Sequence, residues 1–383
     1  MAQTLAWASS YYLPALLAGP IARDLNAPAF TVFAAFSVAL IVSAAFAPHA
    51  GKLIDRWGGR PVLLASNLVF AAGLWGLSQS SHWVGLFLAW AVMGIAMGCG
   101  LYEAAFSTVV RLQGTQARGA ITGITLVAGF ASTIGWPLTA YMEAQYGWRG
   151  ACLVWAALHI VMGLPLNAVV PRVRDAVRHT PSPAAPPPDP CARPAAGSRR
   201  THFMLAYIFA VTWFISTSMA AHLPMVLRDS GLALSAAIAM AALVGPAQVA
   251  GRLLEFGFLK HAPALLSARL AVLAHPVGVA ALLWIGAPAA TAFAVLHGLG
   301  NGIMTIAIGT LPLLLFGPTG YGHRQGLLMV PARLLQAAAP FLFGLCVERW
   351  GVNALWLTAL LALTAAITLA CLRAPRRDGE PAP

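Results

Sequence analysis

The sequence is built from apolar runs of about 20 residues, the length that a helix needs to cross the hydrocarbon core of a bilayer. Twelve such runs, called spans one to twelve, have the approximate bounds 2–22, 30–50, 61–79, 83–109, 119–142, 149–170, 203–224, 232–255, 263–285, 289–316, 325–346 and 352–373. Backbone groups in lipid must be satisfied within a helix or a closed barrel, and barrel strands would be shorter segments of alternating polarity. The sequence therefore predicts an all-α integral membrane protein.

Charged residues are too few to cover a surface that faces water. They make up 9% of the 383 residues, against 59% for hydrophobic residues, whereas soluble domains carry roughly 25% charged residues. A soluble globular fold is therefore excluded.

The net charge of +12 could suggest a nucleic-acid partner, but the positions of the basic residues argue against one. We assign all but four of the 23 Lys and Arg residues to one side of the membrane, the exceptions being Arg23, Arg149, Arg228 and Arg349. Basic residues concentrate on the cytoplasmic side of multi-pass proteins. We therefore predict an inner-membrane protein with both termini in the cytoplasm and no nucleic-acid partner. No basic stretch precedes span one, which argues against a cleaved signal peptide.

The cysteines offer no sign of a metal or redox centre. Their spacing matches neither a metal site nor a disulfide framework, and no nucleotide-binding loop is present. We predict no cofactor and no metal. The five cysteines are Cys99, Cys152, Cys191, Cys346 and Cys371.

A proline- and arginine-rich stretch divides the spans into two sets of six. Residues 171–202 contain eight prolines and six arginines, a composition that cannot bury a core. The predicted organisation is an N-terminal six-helix bundle at 1–170, a linker at 171–202, a C-terminal bundle at 203–373 and a tail at 374–383.

The two halves also repeat short patterns in the same order. Duplicated six-helix halves of one orientation, with a site between them near the membrane midplane, are typical of secondary transporters. The repeated pairs are Arg23–Asp24 with Arg228–Asp229, Gly51–Asp55 with Gly251–Glu255, Gly94 and Gly98 with Gly298 and Gly302, and Glu143 with Glu348.

The segment GKLIDRWGGRP at residues 51–61 resembles the loop 2–3 signature of the major facilitator superfamily, G-x-L-x-D-R-x-G-R-[KR]. Gly59 stands where arginine is usual. With the twelve spans and the linker, the resemblance covers essentially the whole chain. It implies two six-helix bundles related by a pseudo-two-fold axis along the membrane normal, and a transporter rather than an enzyme.

The same resemblance implies a set of gating residues. In the family pattern the acid of this signature holds a cytoplasmic gate shut, so Asp55 is expected to bond to the start of span eleven, near Gly322 to Gln325. The alternative is that these charges only end helices and satisfy the positive-inside rule. The predicted gating residues are Gly51, Asp55, Arg56, Arg60, Gly251, Arg252 and Glu255.

Glu103 is the acid that we place well inside a span. It lies about eight residues from Arg111, hence roughly 12 Å deep at about 1.5 Å per residue. An ionisable residue at this depth suggests function, and burial without a partner favours the protonated form, as suits a proton carrier. The alternative is a structural carboxylate that is either protonated or paired with an arginine. An arginine that drug–proton antiporters carry in span four is replaced by Trp90.

Spans one, four, seven and ten line the central cavity in the family that the chain resembles. His297 lies four residues from Asn301 on one helix face, and we predict it as a second proton-coupling residue, or else as a hydrogen-bonding residue between helices. Aromatic side chains in spans are often packing or interface residues. The candidate substrate-binding residues are Tyr11, Tyr12, Tyr102, Trp136, Trp213 and Asn301.

The favoured function is alternating-access transport of a small solute, with a small organic anion such as a monocarboxylate preferred and proton coupling through Glu103. An exporter of amphipathic, drug-like compounds is the second choice. A haem-binding redox protein using His275 and His297, and a transport-dead sensor, are further alternatives. The expected partners are the substrate, a proton and membrane lipid, and we expect a monomer.

Overall fold

The computed structural model describes residues 1–172, 199–259 and 262–373, and these form almost only helices. Eight continuous helical stretches in those ranges are long and apolar enough to cross a membrane. The stretch from Trp83 to Ala168 is 86 residues long and turns back twice, and the stretch from Tyr321 to Cys371 turns back once. With the two short helices before residue 25, the described residues cross the membrane twelve times.

The observed helices have the following bounds. In the N-terminal half, span one consists of Ala2–Ala8 and Pro14–Asp24, span two of Ala29–Trp57, span three of Gly59–Ser78, and span four of Trp83–Gly100 and Tyr102–Gln113. Span five consists of Arg118–Ala128 and the first part of Ala131–Leu158, and span six of the remainder of that helix and Leu164–Ala168. In the C-terminal half, span seven is Arg199–Asp229, span eight consists of Leu234–Ala242 and Val244–Gly257, span nine is Ala264–Ile285, span ten Ala290–Phe316, span eleven Tyr321–Trp350 and span twelve Leu355–Cys371.

Glycines with positive φ lie at the two reversals within the long stretch from Trp83 to Ala168. Gly114 has φ +58° between spans four and five, and Gly147 has φ +68° between spans five and six. Side chains other than glycine rarely adopt these angles. The long apolar stretch therefore folds back on itself at these two points.

The apolar core forms two large clusters and a small third one around Ile54 and Leu63. One large cluster is drawn mainly from residues 6–156, with Leu313 and Tyr321 added, and the other from residues 205–372. The halves meet where span two packs along span eleven and where span five packs against spans eight and ten. The result is a pair of six-helix bundles with an interface that runs through the membrane.

Three boundaries differ from the sequence-based expectation. Gly51–Trp57 are the last turns of the span-two helix, which ends at Gly58, and Gly251–Gly257 likewise continue span eight. The helix of span seven already includes residues 199–202, which we had assigned to the linker. The rest of the linker, from 173 to 198, and the tail 374–383 lie outside the described residues.

Candidate substrate site and gates

Glu103 stands at a break in span four. One helix ends at Gly100 and the next begins at Tyr102, so Glu103 lies in the first turn of the second helix. The partial positive charge of a helix N-terminus favours a carboxylate there. The side-chain amide of Gln3 donates to the carbonyl oxygen of Gly100 at 2.7 Å. This bond replaces the helical hydrogen bond that the carbonyl group loses at the break. Glu103 is 5% exposed.

A buried arginine on the other half binds this carboxylate. Arg333 of span eleven is 1% exposed and donates from Nη2 to Oε1 of Glu103 at 2.8 Å. Its Nη1 donates to Gln336 at 2.8 Å, and Gln336 donates to the hydroxyl of Tyr11 at 3.1 Å. The guanidinium also lies 5.2 Å from the ring centroid of Trp213. Spans one, four, seven and eleven therefore meet in one polar network.

This arginine corrects the sequence analysis. Arg333 was counted with the basic residues of the cytoplasmic side, although it stands eight residues inside the predicted span 325–346. Because the pair with Glu103 is formed, the expectation of a lone buried acid is wrong in this conformation, and the alternative of an arginine-paired carboxylate describes it. Glu255, at 3% exposed, is a second buried acid.

Aromatic side chains surround the ionic pair. Trp7 of span one lies 4.7 Å from Tyr102 and 5.3 Å from Tyr11, ring centroid to centroid. It is parallel to Trp213 within 5°, at 6.4 Å. Trp136 contacts Tyr12 in an edge-on arrangement at 5.9 Å and donates to the Tyr12 carbonyl oxygen at 3.3 Å. The aromatic candidates of spans one, four, five and seven thus form a continuous cluster.

Arg252 is a buried cation without a counter-ion in the part of the chain that the structure describes. It is 5% exposed, its Nε has no hydrogen-bond partner, and none of the four ion pairs includes it. Its guanidinium lies so close to Gly129, at the break in span five, that a Cβ there would overlap it. Tyr102 is within electrostatic reach of both Arg252 and Glu103. Arg252 therefore reaches from span eight into the interface between the halves.

The end of the bundle that carries Gly51–Asp55 and Gly251–Glu255 is called the motif face. There the Asp55 carboxylate accepts hydrogen bonds from the backbone N–H groups of Gly322 and His323, both at 2.8 Å. A Cβ on Gly51 would overlap the carbonyl group of Gly322. Span two and span eleven are therefore in backbone contact at this face.

The second copy of the motif makes a different contact. Glu255 accepts from Arg118 of span five at 2.9 Å, and Arg118 also donates to the carbonyl oxygens of Ala262 and Leu259 at 3.0 and 3.3 Å. Gly251 approaches Leu299 within its own half, where a Cβ would overlap the Leu299 carbonyl group. Both pairs of spans at the motif face are thus held together across the interface.

His297 and Asn301 lie apart from this network. His297 contacts His275 through their Nδ1 atoms at 3.0 Å, His275 contacts Thr358 at 3.0 Å, and Asn301 donates to Ser216 at 3.0 Å. They border a cavity of about 40 Å³ inside the C-terminal half, which holds a few water molecules at most. The direct contact between the two rings leaves no room for a porphyrin between them.

Arg56 and Arg60, two further predicted gating residues, also have no described ion pair. Arg56 is exposed and lies 5.8 Å from the ring centroid of its neighbour Trp57, and Arg60 is partly exposed. Their positions at the helix ends suit lipid phosphates or water. Within the described ranges, no cluster of three His, Cys, Asp or Glu side chains is placed to hold a metal ion.

The sequence matches a protein-family model over most of its length. The model of the Major Facilitator Superfamily matches residues 1–330, most of the chain. The chain belongs to the major facilitator superfamily. It is therefore a multi-pass membrane transporter by family, with the two-bundle fold that the sequence predicted.

Curated relatives in this family match over short stretches. Multidrug resistance protein fnx1 of Schizosaccharomyces pombe is 33% identical over 113 residues, which is 29% of this chain and 21% of that protein. Human monocarboxylate transporter 2 is 30% identical over 129 residues, 32% of this chain and 26% of that protein. The chain thus spans about a quarter or less of the length of either relative in the match.

Solved structures of the superfamily match over the whole fold. The human organic anion transporter MFSD10 superposes with a TM-score of 0.68 at 17% identity, covering 96% of each chain. The proton:xylose symporter XylE gives 0.70 at 11% identity, covering 96% of this chain and 93% of that one. At these identities the match establishes the fold alone.

Several residues of the site escaped the sequence analysis. Arg333 and Gln336 are three residues apart in an apolar span that also contains Pro331, and an arginine eight residues inside a span was a sufficient signal. Arg118 was a loop charge in the sequence, and Trp7 was one aromatic among many. Only the packing of the two halves shows that these side chains meet.

Proposed function

We propose that this superfamily member is a proton-coupled transporter of small organic anions, monocarboxylates above all, in the cell inner membrane, with the motif face and both termini in the cytoplasm. The observation that carries the proposal is the uncompensated charge of Arg252. Arg118 and Arg333 each bind a carboxylate of the protein, whereas Arg252, at 5% exposed, binds none among the described residues. A buried cation is stable only with an anionic partner, and an anionic substrate provides one.

Glu103 and Arg333 supply a means of coupling. Their ion pair joins span four of one half to span eleven of the other. Protonation of Glu103 removes one charge of the pair and weakens the link between the halves. We infer that a proton on Glu103 permits the halves to move, while Arg252 binds the substrate carboxylate. His297 has no part in this scheme, because its ring is already bonded to His275 in a cavity away from Glu103.

Export of drug-like compounds is the second candidate, since the aromatic cluster suits amphipathic molecules and one relative is a multidrug resistance protein. The sign of the charge discriminates between the two. An unpaired buried arginine repels the cationic compounds that an aromatic cage otherwise binds well. We therefore rank anions first.

The test is uptake of radiolabelled acetate and lactate into proteoliposomes, with and without an inward proton gradient. We expect gradient-driven accumulation by the natural chain. Glu103→Gln cannot release a proton, so accumulation should fall at least about tenfold, or 1.4 kcal/mol, while exchange of labelled for unlabelled substrate continues. Accumulation by Glu103→Gln equal to the natural chain contradicts the coupling role.

Two further variants separate function from folding. Glu348→Gln makes the same chemical change at an exposed glutamate and should leave uptake unaltered. Glu103→Asp keeps the titratable group and should retain part of the accumulation. Failure of every carboxylate to move, while cationic dyes are expelled, would favour the export alternative.

A further inference from the structure

Trp7 and Trp213 lie in corresponding spans of the two halves. They stand 206 residues apart, close to the separation of 204 between Gly94 and Gly298. Trp7 lies in span one and Trp213 in span seven, and their rings are parallel across the interface at 6.4 Å. The duplicated halves thus each contribute one indole ring to the same stack.

Both indole N–H groups are buried and have no hydrogen-bond partner among the residues that the structure describes. Trp7 itself is only 3% exposed. A buried tryptophan N–H usually finds a partner, so two unpartnered donors at one interface indicate a place where a polar group of a ligand is received. Thr217 and Gln325 add an unpartnered hydroxyl and an unpartnered amide oxygen nearby in the same interface.

The cavity beside the stack is small. Trp213, Tyr102 and Glu103 are among the side chains that border it, and its volume of about 10 Å³ is room for one water molecule. A larger guest can bind here only if these side chains, Trp213 among them, move apart. Separation forfeits the ring-to-ring interaction, and a guest restores it only if the guest has a planar π face of its own.

Building on the proposed function, we propose that the anion carried by this chain is an aromatic or otherwise planar monocarboxylate, whose ring takes the place of one indole against Trp7 or Trp213 while its carboxylate binds Arg252. The remaining walls fit this class. Tyr102 and Phe106 stack at 5.2 Å within 9°, and Arg333 covers Trp213 at 5.2 Å.

The test compares benzoate with cyclohexanecarboxylate, which have the same number of carbon atoms and the same charge but differ in planarity. Proteoliposome uptake at one pH gradient should give a kcat/KM for benzoate about fivefold higher, the size expected for one aromatic contact. Trp7→Leu or Trp213→Leu should lower the ratio of the two kcat/KM values, benzoate over cyclohexanecarboxylate, to about one, whatever the change in the absolute rates. A natural chain that transports both acids equally well, or a preference that survives in both variants, overturns the inference.

The controls distinguish this inference from the proposed function. Trp213→Phe keeps a π face and should retain most of the preference, so loss of packing is separated from loss of stacking. Trp284→Leu removes a tryptophan that is 78% exposed and should change nothing. Uptake of acetate and lactate without any preference for benzoate rejects the aromatic substrate alone. If no carboxylate is transported at all, the proposed function fails and this inference fails with it.

Discussion

The two copies of the gate motif close the same face of the molecule with different chemistry. In the first copy, Asp55 binds two backbone N–H groups at the start of span eleven. In the second, Glu255 binds the guanidinium of Arg118 at the start of span five. An acid at a duplicated position thus keeps its place at the interface while its partner changes from backbone to side chain.

The basic residue of each copy shows the larger divergence. Lys52, one residue after Gly51, is exposed, whereas Arg252, one residue after Gly251, is 5% exposed and points into the interface. The first copy therefore serves only contact between the halves in our proposal. The second copy combines that contact with a charge available to substrate.

The largest expected effect tests this divergence directly. Arg252→Gln should lower kcat/KM for monocarboxylate uptake about 100-fold, because loss of one partner from a buried, hydrogen-bonded charge pair costs about 2–5 kcal/mol. Lys52→Gln removes the same charge from the equivalent exposed position and should act within about twofold. Proteoliposome uptake measures both. Equal losses in the two variants would mean that Arg252 contributes only to the positive charge of the face.

Replacing Gly51 or Gly251 by alanine should have effects of intermediate size, and these effects should differ between the two positions. Gly51→Ala places a methyl group against Gly322 of the other half, and such overpacking costs about 1–3 kcal/mol. The closed motif face should open, and maleimide labelling of a Gln325→Cys reporter from that face should rise about tenfold. Gly251→Ala strains the contact with Leu299 inside one half, so Tm should fall by a few degrees.

Maleimide labelling and Tm together show which of the two glycines lies at the interface between the halves. Gly51→Ala should leave Tm nearly unchanged, and Gly251→Ala should leave labelling nearly unchanged. The reverse pattern would place the interface between the halves at Gly251 instead. The reporter without either glycine substitution provides the reference rate.

The smallest expected effect concerns the ion pair. Arg118→Gln leaves the buried Glu255 carboxylate without its guanidinium, and we expect a loss of about 1 kcal/mol in the free energy of unfolding, below the value for fully buried pairs because Arg118 is 30% exposed and solvent screens the pair. The double variant with Glu255→Gln should recover about half of this loss. Denaturant unfolding in detergent measures all three, and additive losses would show that the pair contributes nothing.

The sequence predicts the positions of some site residues better than those of others. The duplicated GKLID motif predicts both acids of the motif face, Asp55 and Glu255, because a short motif can be recognised from the order of its residues alone. For the network around Glu103, the sequence indicates the acid but not the residues that bind it. The acid is evident as a charge in an apolar span, but Arg333, more than 200 residues away, is predicted at the cytoplasmic side and instead lies buried within span eleven.

The sequence by itself determined the twelve spans, their grouping in two halves and the superfamily, because the bilayer imposes a length and a polarity on every segment independently of its neighbours. Only the tertiary structure decided which charges are paired. Whether Arg252 lies free while Arg118 and Arg333 bind carboxylates depends on how two bundles pack, and distances between residues of different halves leave no periodic trace in the chain. The buried charge on which the proposed function depends is therefore a property of the packed interface.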